Sequence, residues 1–181
     1  MDRRQLLATL AATAFIPAVL AAPRLFAATA EMREAERKLV EMTKTVGSLS
    51  LATSRLAFEM ARADMVKMFA KFEVAEQETI ADILKSMEMD KAEGALKVPT
   101  EAEVDAMLDP AAKQALAKLK GTKGEEFDKA YVAAQLDGHE KLLAIQQDYL
   151  KVGQNREYLS FAKLARGMIN EHIDHLKMLK A

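Results

Sequence analysis

Five side chains carry the chemistry that this sequence offers: Glu73, Glu76, His139, His172 and His175. Imidazole and carboxylate together suit iron, zinc, manganese or copper. The three histidines are all that the chain contains, and it has no cysteine, so a thiolate site is excluded. His172 and His175 lie one helical turn apart, as do Glu73 and Glu76. Stepping about 100° per residue around each helix sorts them. Glu76 falls among Phe69, Phe72, Ile80 and Ile83 near the centre of an apolar arc, with Glu73 toward its edge. His172 is central among Phe161, Ala165, Met168, Leu176 and Leu179, with His175 on the flank, and His139 lies toward a flank beside Gln135, Leu142 and Gln146. Two readings are open: a metal site, or a buried Glu–His pair in which protonation removes the bare charge.

The elements that must position these residues are helical. Ala, Leu, Met, Glu and Lys dominate, while Gly and Pro are scarce. Helical spacing of apolar residues runs from about Ala35 to Met60, from about Asp64 to Met89, from Glu125 to Val152 and from Asn155 to Lys180. The first stripe reads Leu39, Met42, Val46, Leu49, Thr53, Leu56 and Met60; the second Met65, Phe69, Phe72, Ile80, Ile83 and Met87. The third reads Phe127, Tyr131, Ala134, Leu142, Ile145 and Tyr149. Between the second and third helices, Thr100-x-x-Glu103 has the pattern of a capping box, and Asp109-Pro110 that of an N-cap with proline at the first helical position. The expected fold is all-α, a four-helix bundle with short helices in its connector and either simple or crossover topology. Counted from the two helix breaks, Glu76, His139 and His172 stand within about one turn of the same depth.

The first thirty residues read as a leader. Arg3-Arg4 precede an apolar stretch from Leu6 to about Ala22, and Ala28-Thr29-Ala30 is a small-x-small pattern, which predicts cleavage after Ala30. Arg3-Arg4 followed by Gln5-Leu6-Leu7 resembles a twin-arginine signal, with a Sec signal as the alternative. Residues 31–181 then form a single domain of formal charge −3, too acidic for a nucleic-acid footprint and without a membrane span. A periplasmic product is expected.

Three blocks carry a resemblance: Ser48–Leu84, Phe127–Leu150 and Phe161–Leu179. In that order they resemble the exported bacterial family known as domain of unknown function 4142. The resemblance implies a ferritin-like four-helix fold and export to the envelope, and supplies no reaction. The resemblance implies that many members carry an Asp-His pair where this chain has Glu76-Gln77, and histidines corresponding to His139 and His172. A ferritin-type di-iron centre needs a glutamate on each of two helices and Glu-x-x-His on the other two. Here Glu73-x-x-Glu76 and His172-x-x-His175 stand instead, so that set is incomplete. The methionines, Met65 and Met68 among them, read as core filler rather than as a copper site. No Ser-His-Asp pattern, phosphate loop or dinucleotide fingerprint is present. The expected role is a non-enzymatic binding or envelope and stress factor that engages an envelope partner or small ligand. The alternative is a metal-binding protein or metal-dependent oxidoreductase using the Glu/His cluster.

Overall fold

The computed structural model describes residues 22–89 and 93–180, the side chains of 22–32 excepted. The chain is helical throughout, with no strand among the described residues: α1 (Ala22–Met60), α2 (Asp64–Ser86), α3 (Glu101–Met107), α4 (Pro110–Lys120), α5 (Gly124–Val152) and α6 (Arg156–Lys180). No described helix is long and apolar enough to cross a membrane. Most of the expected leader, residues 1–21, lies outside the described residues; α1 begins at Ala22.

Cross-helix pairs give the directions. Lys44 meets Glu88 and Ser50 meets Glu73, so α1 and α2 are antiparallel. Thr43 meets Gln146, Ser50 meets Gln135 and Ser54 meets Tyr131, so α1 and α5 are antiparallel too. α2 and α5 therefore run the same way, and the connector between them must travel back along the molecule. It does so over α1, against which α3 and α4 pack. Arg55 fastens it, donating to Glu78 Oε1 and to the Pro99 carbonyl, both at 2.8 Å.

The short helices start where sequence chemistry places them. Thr100 and Glu103 form a reciprocal capping box, and the Asp109 carboxylate accepts the Ala112 N–H at 2.7 Å. The turn between α1 and α2 is capped from a distance: buried Asp128 on α5 accepts the backbone N–H groups of Arg62 (3.0 Å) and Ala63 (2.8 Å). Charge-assisted bonds of this kind contribute about 1.5–3 kcal/mol each, less when shared. Asp128→Ala is expected to lower unfolding stability by about 2–3 kcal/mol in a urea titration. The α5–α6 turn needs its glycine, because a Cβ on Gly153 would come within 2.4 Å of the Tyr149 ring.

Two apolar clusters form the interior. One gathers Leu39, Leu84, Leu142, Phe161 and Ile169, the other Ala57, Phe69, Phe127, Tyr131 and Leu176. Each fully buried large side chain contributes about 1.5–3 kcal/mol. Buried Ser50, Glu73, Gln135, His139 and His172 belong to neither cluster.

That polar layer rotates two helices away from their expected phase. On α1 the buried positions are Leu39, Val40, Thr43, Gly47, Ser50, Leu51, Thr53, Ser54 and Ala57, while Met42 is exposed. On α2 they are Val66, Phe69, Ala70, Glu73, Gln77 and Leu84. Phe72, placed inward by its spacing, is 55% exposed, and Met65 and Ile83 are exposed as well. Ala134 on α5 also faces out. Apolar spacing cannot register a core face built of Ala, Ser, Thr, Glu and Gln.

Candidate metal centre

Three helices each bring one donor atom to a common point, and the fourth long helix supports them. α2 presents Glu73 Oε2, α5 presents His139 Nε2 and α6 presents His172 Nδ1. Glu73 Oε2 lies 2.9 Å from His172 Nδ1 and 3.3 Å from His139 Nε2, and the two imidazole nitrogens are 3.1 Å apart. All three residues are buried, and among the described residues theirs are the donor atoms that converge closely enough to hold one ion. A metal with bonds of about 2.0–2.1 Å places neighbouring ligand atoms about 2.9 Å apart in an octahedron and about 3.3 Å apart in a tetrahedron. The observed triangle fits one face of either polyhedron.

The surroundings fix each donor. His139 Nδ1 lies 2.8 Å from the Gln135 carbonyl oxygen, which can only accept. Nδ1 therefore carries a proton, so that the nitrogen free to ligate a cation is Nε2, facing the other two donors. The other oxygen of Glu73, Oε1, accepts from Ser50 Oγ (2.5 Å) and Gln77 Nε2 (2.9 Å). Ser50 Oγ also lies 2.6 Å from Gln135 Oε1, and its single proton serves one acceptor at a time. Gln135 Nε2 is held by Thr53 and Ser54, whose hydroxyl pairs with Tyr131. Glu73 Oε2, by contrast, is buried and accepts no hydrogen bond of regular geometry. Its only partners are the two imidazole nitrogens, so a proton or a cation between them answers its charge.

The charges are coupled. Burial opposes ionisation of Glu73, yet the imidazoles of His139 and His172 and the Ser50 hydroxyl outweigh it and hold the carboxyl well below its usual range. Burial likewise opposes a charged His172, and the carboxylates of Glu73 and Glu76 overcome it, pushing the ring up to about 10. Without metal, a proton on His172 therefore occupies the place that a cation would take.

The sequence-derived set is rearranged. Glu73, expected at the edge of its arc, is the innermost acid, and Glu76, expected at its centre, is 34% exposed at the side chain. Both corrections follow from the rotation of α2. Glu76 Oε2 reaches His172 Nε2 at 2.9 Å, on the far side of the ring from Glu73. His139, expected on a flank, is almost wholly buried. His172 points inward as its spacing implies, and His175 is exposed and stands apart from the group. Ser50, Gln77 and Gln135 complete the surroundings. The signal for them was the run of small or polar residues at helical spacing on α1, Thr43, Gly47, Ser50 and Ser54, which marks a polar interior face.

Phe69 closes the apolar side, its ring edge-on to His172 at a centroid separation of 5.2 Å. Residues 21–179 match the model of one protein family, described as a domain of unknown function. No curated protein and no solved structure matches the chain.

Proposed function

The chain belongs to the DUF4142 family, and from its geometry we propose that it is an exported helical protein that holds one divalent transition-metal ion through Glu73, His139 and His172. The observation that carries this reading is the triangle of donor atoms with an otherwise unpartnered carboxylate oxygen at one corner. Two imidazoles and one carboxylate on a single face suit zinc, iron(II), manganese or copper and leave further positions for water or ligand. The role is binding rather than turnover, with the site inside a domain spanning residues 31–181. The reading of residues 1–30 as a twin-arginine-like leader supports a periplasmic destination.

A single long connector joining two parallel helices is the arrangement of ferritin-like four-helix bundles, which supports that class for α1, α2, α5 and α6. The centre departs from the paired di-iron type. α1 supplies Ser50 where a carboxylate would stand, and the donor from α5 is His139 with no buried acid beside it. One ion per chain is the stoichiometry that this donor set supports.

Equilibrium dialysis of the full chain against Zn²⁺, followed by elemental analysis, tests the proposal. One zinc per chain is expected, falling to under about a tenth in Glu73→Gln and His172→Ala, since each removes one of three donors. His175→Ala retains the full complement. A chain that holds no stoichiometric zinc, or variants that hold as much as the parent, would leave the layer as an imidazolium–carboxylate network and reject the metal.

A further inference from the structure

Behind the carboxylate of Glu73, on the side away from the histidines, lies a second feature. α1, α2 and the returning connector border a half-open pocket of about 620 Å³. That size lies within the range of small-molecule sites. Its walls are Leu51, Ile80, Leu84, Val104 and Met107, and small residues, Gly47 and Ala81, open the seam between α1 and α2. The connector cannot simply settle into the space, because Arg55 holds the Pro99 carbonyl and Asp82 accepts the Lys97 N–H at 3.2 Å.

Two buried polar side chains reach this cavity with hydrogen-bonding capacity to spare. Gln77 spends its Nε2 on Glu73, and among the described residues no donor serves its Oε1. Thr43 Oγ1 accepts from Gln146 Nε2 at 3.0 Å, and its own proton has no acceptor among the described residues. One face thus offers an acceptor and a donor within a largely apolar pocket. The rim carries lysines, yet each is matched by an acid: Lys44 by Glu88, Lys85 by Glu103 and Lys97 by Glu93. Nothing there selects an ion.

We infer that this cavity binds an uncharged, apolar-bodied small molecule bearing a hydroxyl group, which donates to Gln77 Oε1 or accepts from Thr43. The inference is independent of the metal. An occupant touches Gln77, but the walls that border it belong to α1, α2 and the connector, and none is a proposed metal ligand.

Titration calorimetry of the full chain with 4-octylphenol is the test, with zinc binding measured on every variant as a separate readout. One saturable site is expected in the parent. Ala81→Phe, which fills the seam, weakens binding at least about tenfold, and Thr43→Val, which removes the hydroxyl at nearly constant volume, weakens it about three- to tenfold, the range of one neutral hydrogen bond. Zinc stoichiometry stays at the parent's value in both. Absence of saturable binding in the parent, or parent-like affinity in both variants, overturns the inference whatever the zinc result.

Discussion

Glu73→Ala is expected to destabilise the metal-free protein by about 3–5 kcal/mol, as a shift in the urea midpoint with little change in slope. The size follows from what the side chain leaves behind. Glu73 is fully buried and meets Ser50, Gln77, His139 and His172 at once. Its removal strands the charge of His172 beside His139, with only the half-exposed Glu76 to answer it. It also leaves Gln77 Nε2 without its acceptor, while Ser50 keeps Gln135 Oε1. Glu73→Gln keeps the volume and an acceptor oxygen while losing the charge, so it falls between parent and alanine. An alanine variant within about 1 kcal/mol of the parent would show that the network contributes little to the fold.

Zinc is expected to have the second large effect, raising the midpoint of thermal unfolding. At a free concentration a thousandfold above the dissociation constant, a ligand of the native state adds about 4 kcal/mol. For a chain of this length that corresponds to roughly 8–16 °C. The increment depends on pH, because His172 must give up its Nδ1 proton to bind. With that ring pushed up to about 10 in the metal-free protein, apparent affinity rises with pH across the neutral range, by up to about tenfold per unit for a single displaced proton. Melting curves at pH 6 and pH 8 with equal free zinc check this, and the larger increment belongs to pH 8. Equal increments would mean that no proton leaves His172.

The metal-free protein shows the opposite trend on its alkaline side. The folded pKa of His172 is raised from 6.5 to about 10, so its contribution is complete below 6.5 and is lost as pH rises through 10. The folded pKa of Glu73 is lowered from 4.5, so its contribution is complete above 4.5 and is lost as pH falls. Both describe one interacting group and are not additive. Chelated protein is therefore expected to be most stable near pH 5–6 and to lose stability toward pH 9, a decline that His172→Ala should flatten. A parent and variant with parallel pH profiles between 6 and 9 would remove His172 from this role.

Helix number, most helix ends and the caps at Thr100 and Asp109 are legible in the sequence because they depend on local chemistry: apolar spacing, Gly153, and oxygen-bearing residues ahead of helical runs; the exception is α1, expected from about Ala35, which begins at Ala22. The inward direction of His172 is legible for the same reason, since most of the other buried positions on α6 are apolar. The roles of Glu73 and Glu76 are not. α2 turns Ala70, Glu73 and Gln77 to the interior and leaves Met65, Met68 and Phe72 outside, so apolar spacing points to the wrong acid. α1 is misphased likewise, its interior face being Thr43, Ser50, Thr53 and Ser54. Asp128 was hidden in another way: its partners are the backbone groups of Arg62 and Ala63, more than sixty positions away. A carboxylate that caps a remote turn leaves no local pattern.

X-ray absorption at the zinc K edge, on the full chain loaded with one equivalent, tests the central claim most directly. The account predicts a first shell of nitrogen and oxygen at about 2.0–2.1 Å with outer-shell scattering from two imidazoles, scattering that is lost with the bound ion in His139→Ala. A zinc spectrum without imidazole scattering, or one unchanged in that variant, would contradict it.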